Sequence, residues 1–224
     1  MISNALNSEM KAEFKLIKSE IRRKGAIFAL RSAQDMFDRR ASTFLKTSIT
    51  PVACGNGCSY CCSFNVDVKS VEVLAIAEYV KKCFSEAEIT EILLRTEKNI
   101  EHLKTLTRSE QFSANIKCPF LNAGNCMIYA ARPNNCRKFN STDVQKCREI
   151  FENPDNIEIE APALKGLHLI GSRCFDIFSL AVEETGFDVY DYELNSAFAE
   201  AMSCNEPLER FLKRDRTFLN AIAV

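Results

Sequence analysis

Apolar residues recur at helical spacing along most of the chain. Over the first 47 or so residues, Met10, Phe14, Ile17, Ile21, Phe28, Phe37 and Phe44 punctuate a charged background, which predicts one long amphipathic helix or two broken near Gly25. Ser70 can cap the next helix, with Glu72 in its first turn and Val73, Ile76, Ala77, Val80 and Phe84 as its apolar stripe. Ser85 and Glu88 form a capping box for the helix after it, whose buried face would be Ile89, Leu93, Thr96, Ile100 and Leu103. Between about 108 and 150 the period lapses, because Pro119, Gly124 and Pro133 interrupt any long helix, and a short helix resumes at Ser141. A further helix opens at Pro162 and closes at Gly186, with Leu167, Ile170, Cys174, Phe178 and Ala181 on one face; two more cover roughly 191 to 203 and 207 to 221. Strand signals are confined to Asn65 to Val68 and Ile157 to Ile159. The expected class is mainly α, a helical domain with an irregular cysteine-rich segment between helical hairpins.

Neither repeats nor low-complexity tracts divide the chain. Its 224 residues, 46% hydrophobic, suit one domain over 1–224, made of an N-terminal helical stretch (1–48), a cysteine region (49–150) and C-terminal helices (151–224). With 29 Lys and Arg against 30 Asp and Glu, the formal charge of -1 gives no global field to recruit nucleic acid or an anionic membrane surface. The run Arg22-Arg23-Lys24 reads as a solvated helix face. No segment reaches the ~18 uninterrupted apolar residues of a membrane helix, and MISNALNSEMKAEF has no apolar signal region. The expected compartment is therefore the cytoplasm, with Asn140-Ser141-Thr142 a chance sequon.

That compartment changes how eleven cysteines are read, since a reducing cytosol favours metal-binding or catalytic thiols over disulfides. Four thiols fall within nine residues in CGNGCSYCC: Cys54, Cys58, Cys61 and Cys62. Thiols so closely spaced can reach one centre at little cost in loop-closure entropy, and Asn56-Gly57 supplies the turn. Cys118, Cys126, Cys136 and Cys147 would close the site from a distant stretch, coupling metal binding to folding of the irregular segment. Adjacent α-carbons lie only ~3.8 Å apart while their side chains diverge, so Cys61 and Cys62 do not both serve one tetrahedral ion. Two ions, a polynuclear cluster with a spare thiol, or a bridging thiolate satisfy the pair. Arg132, Arg137 and Lys138 lie beside Cys136 to offset the charge. Cys83, Cys174 and Cys204 read as packing residues, His102 as solvated, and His168 as a helix-face residue.

The order of these residues resembles the YkgJ-type cysteine-cluster family, also described as a zinc- or iron-chelating domain. The resemblance rests on Val52-Ala53-CGNGCSYCC, Val66-Asp67-Val68 leading to Glu72 and Tyr79-Val80, CPFLNAGNCMIY, ARPNNCRKFNS and the trailing Cys147, spanning about 50 to 150. It implies that all eight cysteines are candidate ligands of zinc or an iron-sulfur cluster, and it implies no reaction. The Cys54 to Cys61 spacing, with Tyr60 before the last thiol, also looks like the cluster loop of radical S-adenosylmethionine enzymes, which requires a barrel of βα units. Flagellin lysine methylases carry a similar cluster, yet no glycine-rich strand-to-helix turn is present here. A zinc-stapled scaffold that binds a protein through the N-terminal helix is a third reading, opposed by burial of that helix against the C-terminal helices. Four thiolates suit zinc and iron-sulfur alike; the adjacent pair tilts the expectation toward iron-sulfur.

Overall fold

The computed structural model describes residues 7–222, in which ten α-helices and four short strands are present. Asn7 opens α1 (Ser8–Lys24) by accepting from the Met10 amide at 2.9 Å. Gly25, at φ 91°, ends α1 and starts α2 (Ala26–Thr47), so the N-terminal stretch is two helices. Phe14, Ile17 and Ile21 of α1 and Ala29, Leu30, Ala33 and Phe37 of α2 are buried, and both helices pack on α8 (Lys165–Glu184). Phe28 faces solvent instead, under the Lys24 ammonium at 4.1 Å, while Arg22, Arg23 and Lys24 are exposed as expected.

The strand β1 (Asp67–Lys69) pairs antiparallel with β4 (Asp191–Glu193), and each strand runs directly into a helix, α3 (Ser70–Cys83) and α9 (Leu194–Ser203). This ladder corrects the expected helix at 191, whose first three residues are spent on β1. Ser70 is the first helical residue and not the cap: its hydroxyl donates to the Asp188 carbonyl at 2.7 Å, and Glu72 reaches back to the Lys69 amide at 2.9 Å. On α4 (Glu86–Thr105) the Ser85–Glu88 box forms, but the buried face is Ile92, Thr96 and Leu103, with Ile89, Leu93 and Ile100 flanking it. Aromatic pairs fill the core around the C-terminal helices: Phe120 of the cysteine segment meets Phe198 of α9 at 4.8 Å, and Tyr192 of β4 meets Phe218 of the closing loop at 5.1 Å.

Three further expectations fail for identifiable reasons. The helix expected over 207–221 is α10 (Glu206–Leu212) alone, because the Glu200 carboxylate collects the amides of Leu219, Asn220 and Ala221 into a closing loop. The helix expected from Pro162 starts at Lys165, since Pro162 accepts from Thr142 and Leu164 donates to Asn140. Ile157 to Ile159 form no strand, and Ile157 is almost fully exposed. Among the described residues no helix is long and apolar enough to cross a membrane.

Two glycines of α8 predict opposite outcomes on substitution by Ala. A Cβ on Gly171 would sit 2.5 Å from the Lys138 Cβ and 3.1 Å from Phe37, whereas one on Gly166 would meet only the far edge of the Phe44 ring. Gly171→Ala should lower stability by about 1 to 3 kcal/mol. Gly166→Ala should be neutral or gain up to ~1 kcal/mol of helix propensity. Denaturant midpoints of the two variants check this, and equal midpoints would contradict the close approach of α8 to residue 138.

Candidate metal centre

The loop from Val52 to Phe64 turns at Asn56-Gly57, where Gly57 takes φ 86°, and then winds into a short 3-10 turn over Tyr60–Ser63. It is tied to the rest of the molecule on two sides. On one, the Ala53 amide donates to the Ser141 carbonyl at 2.7 Å and the Ser141 amide donates to the Cys54 sulfur at 3.2 Å. On the other, the amides of Cys118 and Ile116 donate to the carbonyls of Cys62 and Ser63, both at 2.7 Å. The tight turn between β2 (Leu121–Asn122) and β3 (Asn125–Cys126) touches the first loop, since a Cβ on Gly124 would lie 3.2 Å from the Gly57 oxygen. Tyr60 packs on Phe151 at 5.7 Å, which holds the loop to α7 (Val144–Glu152) and hence to Cys147. The helix expected from Ser141 begins at Val144 because Asp143 is its cap.

Cys136 lies on the short α6 (Asn134–Lys138), whose first amide donates to the buried Glu72 carboxylate at 2.6 Å. The Gln34 and Asn135 side chains fix the same turn, by bonds to Asn134 at 2.9 Å and to the Asp67 carbonyl at 2.8 Å. Ser141 joins the two cysteine groups a second time, because the Cys147 thiol donates to its hydroxyl at 3.1 Å. Glu72, Gln34 and Ser141 thus place sulfurs without being ligand candidates themselves. The sequence marked Glu72 only as a first-turn acid, and spacing could not reveal the other two.

The electrostatics divide the sulfurs into two neighbourhoods. Desolvation pushes the thiols of Cys54, Cys126, Cys136 and Cys147 up from their ordinary range, and that of Cys118 to about 12. Cys58 and Cys147 lie on the Cys54 side, where negative charge on Cys58 opposes ionisation of both Cys54 and Cys147. Cys118, Cys126 and Cys136 form the other group, and charge on Cys126 opposes ionisation of Cys118 and Cys136. Cys61 acts on both, since its charge is felt at Cys54, Cys147, Cys118, Cys126 and Cys136. Its own thiol is pushed up first by the adjacent Cys62 side chain and then by burial.

Only part of the expected countercharge faces the sulfurs. Arg132 favours the thiolates of Cys54, Cys61 and Cys126, and Arg95, from α4, favours that of Cys118. Arg137 turns away to the Asp38 carboxylate at 2.6 Å and the Ala130 carbonyl at 2.8 Å. The Lys138 side chain passes over Gly171, and its charge, after burial, holds His168 below the usual imidazole range. Among the described residues no three His, Cys, Asp or Glu side chains close into a ready-made ion cage. The sulfurs are neighbours within charge range, and a soft donor set of this kind fits zinc or iron.

The remaining cysteines separate from this group. Cys174 is fully buried and accepts from the Arg40 guanidinium at 3.1 Å, whose proton is held chiefly by Glu13. Cys83 and Cys204 are exposed, against the expectation that they pack: one is the last residue of α3 and the other lies just past α9, where the helix faces no longer reach the core. His102 is exposed and His168 is half-buried on α8.

Residues 53–158 match the model of the family CxxCxxCC, described as "Putative zinc- or iron-chelating domain". This stretch is similar to the CxxCxxCC family. It contains all eight cysteines of the two groups, and Cys83 at the end of α3 besides. No curated protein and no solved structure matches the chain. The described strands form two separate two-stranded antiparallel sheets, which is not the series of βα units that a radical S-adenosylmethionine barrel needs.

Glu72 offers a direct check on how the site is positioned. Glu72→Ala leaves the Lys69 and Asn134 amides without acceptors and should cost about 2 to 4 kcal/mol. Glu72→Gln keeps one acceptor oxygen and should cost roughly half as much. Chemical denaturation of both variants measures this; a neutral Glu72→Ala would mean that the carboxylate does not hold α6.

Proposed function

We propose that the protein binds metal on Cys54, Cys58, Cys61, Cys62, Cys118, Cys126, Cys136 and Cys147, as zinc or as iron in an iron-sulfur cluster. The observation that carries this reading is the set of bonds that ties the two cysteine groups together: the Cys118 amide donates to the Cys62 carbonyl at 2.7 Å, and Ser141 bonds both the Cys54 sulfur and the Cys147 thiol. Cys61 lies in the Tyr60–Ser63 turn that these bonds hold, and we assign it the role of serving two ions or two edges of one cluster. Cys62, its neighbour in the Tyr60–Ser63 turn, takes the secondary role. Bound metal would replace the thiol protons and supply the positive charge that Arg132 and Arg95 provide only in part. Iron-sulfur is favoured over zinc because adjacent thiols suit a polynuclear centre. The role is binding or redox. A scaffold docking a partner through its N-terminal apolar face has less support, since that face is covered by α8.

Metal per chain and the absorption spectrum of anaerobically purified variants test this. Cys61→Ser should abolish assembly, whereas Cys62→Ser should leave a metal-bearing protein with altered stoichiometry or spectrum. Cys83→Ala and Cys204→Ala should change neither metal content nor, beyond about 0.5 kcal/mol, stability. Cys174→Ala should retain metal and lose about 1 to 2 kcal/mol of packing. Unchanged metal and spectrum in Cys61→Ser would sink the shared-site reading.

A further inference from the structure

A net charge of -1 conceals a segregation of charge on α1. Lys11, Lys15, Lys18 and Arg22 recur three or four residues apart, which sets them in one row about 16 Å long on the helix. With Arg23 they line a groove of about 650 Å³ that reaches Glu184, the last residue of α8. Lys18 pairs with Glu184 at 2.6 Å, whereas Lys11, Lys15, Arg22 and Arg23 are exposed and form no ion pair among the described residues. Acids of the same helix do not offset them, because Glu9 and Glu13 are engaged by Arg40 and Arg173.

The complement to this row is on the same chain. Glu152, Asp155, Glu158 and Glu160 are all exposed, and no cation stands among residues 152–160. Asp155 and Glu158 have no ion pair among the described residues. Glu152 with Arg148 and Glu160 with Lys165 are solvent-exposed pairs that cost little to exchange. The loop is shaped by two turns, in which the Asn156 amide donates to the Asn153 carbonyl at 3.0 Å and the Ile159 amide to the Asn156 carbonyl at 3.4 Å. It runs into Lys165, the first residue of α8, while the groove meets the last. A helix of 20 residues is about 30 Å long, so within one molecule the acidic loop and the basic groove stand at opposite ends of α8.

We infer that the groove on α1 takes the acidic loop of a second copy of this chain. Two copies set antiparallel along α8 place each loop against the other's groove, so both contacts form in one closed pair. Nucleic acid fits the groove less well, because Phe14, the aromatic residue lining it, is buried and offers no face for base stacking. This association stands independently of the metal reading.

The test is sedimentation equilibrium of the metal-loaded full chain, with oxygen excluded so that the exposed Cys83 and Cys204 form no intermolecular disulfide. At roughly 0.05 M ionic strength and up to ~100 μM protein, a mass above that of the monomer is expected, falling to the monomer near ~1 M salt as screening shortens to about 3 Å. The paired substitutions Lys11→Glu with Lys15→Glu, and Asp155→Lys with Glu158→Lys, should each weaken association at least about tenfold. An equimolar mixture of the two variants should restore it, because the reversed groove then meets the reversed loop. Metal per chain and the far-ultraviolet circular dichroism of both variants should match the unaltered protein, so that loss of association is not loss of fold. The proposal is overturned if the chain is monomeric at low salt, if association survives high salt or either paired substitution, or if the mixture stays monomeric. A monomer that binds a single-stranded oligonucleotide or anionic vesicles, and loses that binding with Lys11→Glu and Lys15→Glu, would equally overturn the second copy as the occupant.

Discussion

Thiols gathered in partly desolvated surroundings resist giving up their protons, and each that ionises makes the next harder to ionise. That constraint governs this protein's cysteine region. Burial raises Cys118 to about 12 and pushes Cys54, Cys126, Cys136 and Cys147 in the same direction. The guanidinium groups in reach, Arg132 and Arg95, are fewer than the sulfurs they face. A multiply charged cation is the economical solution, because it displaces the protons and attracts every sulfur at once.

The helical frame serves that arrangement by fixing the ends of segments that have little periodic apolar content of their own. The β1–β4 ladder sets α3 beside α9, and α3 carries Glu72 to the start of the short helix that bears Cys136. Phe120, packed on Phe198, anchors the stretch between Cys118 and Cys126 into the main core. The α1–α2–α8 layer supports the same region from the far side, where Gly171 lets residue 138 approach closely. Packing thus delivers the cysteine loops to one place, and a few polar bonds, chiefly those of Ser141 and Glu72, set their register.

Legibility in the sequence followed periodicity. The long helices were readable because Phe14, Ile17 and Ile21, or Leu167, Cys174, Phe178 and Ala181, repeat at helical spacing, and the break at Gly25 and the Ser85–Glu88 box follow from local chemistry. What escaped was set by tertiary partners. Residues 191–193 read as helix until β1 claims them, and 213–221 until the Glu200 carboxylate collects the amides of 219–221. Among candidate site residues, the two cysteine groups were legible from spacing. Arg137 was misjudged because adjacency to Cys136 in sequence does not place a side chain that finds Asp38 across a helix interface. Arg95 was invisible for the opposite reason, being far from any cysteine in sequence and near Cys118 only in the fold.

The most direct test of a single site closed by both cysteine groups is hydrogen exchange, compared between metal-loaded protein and protein stripped of metal anaerobically. Removal should raise exchange together at the amides of 53–63 and of 116–127, whose mutual bonds join the groups, while α3, α4 and α9 keep their protection. A change confined to one of the two segments, or equal protection with and without metal, would contradict it.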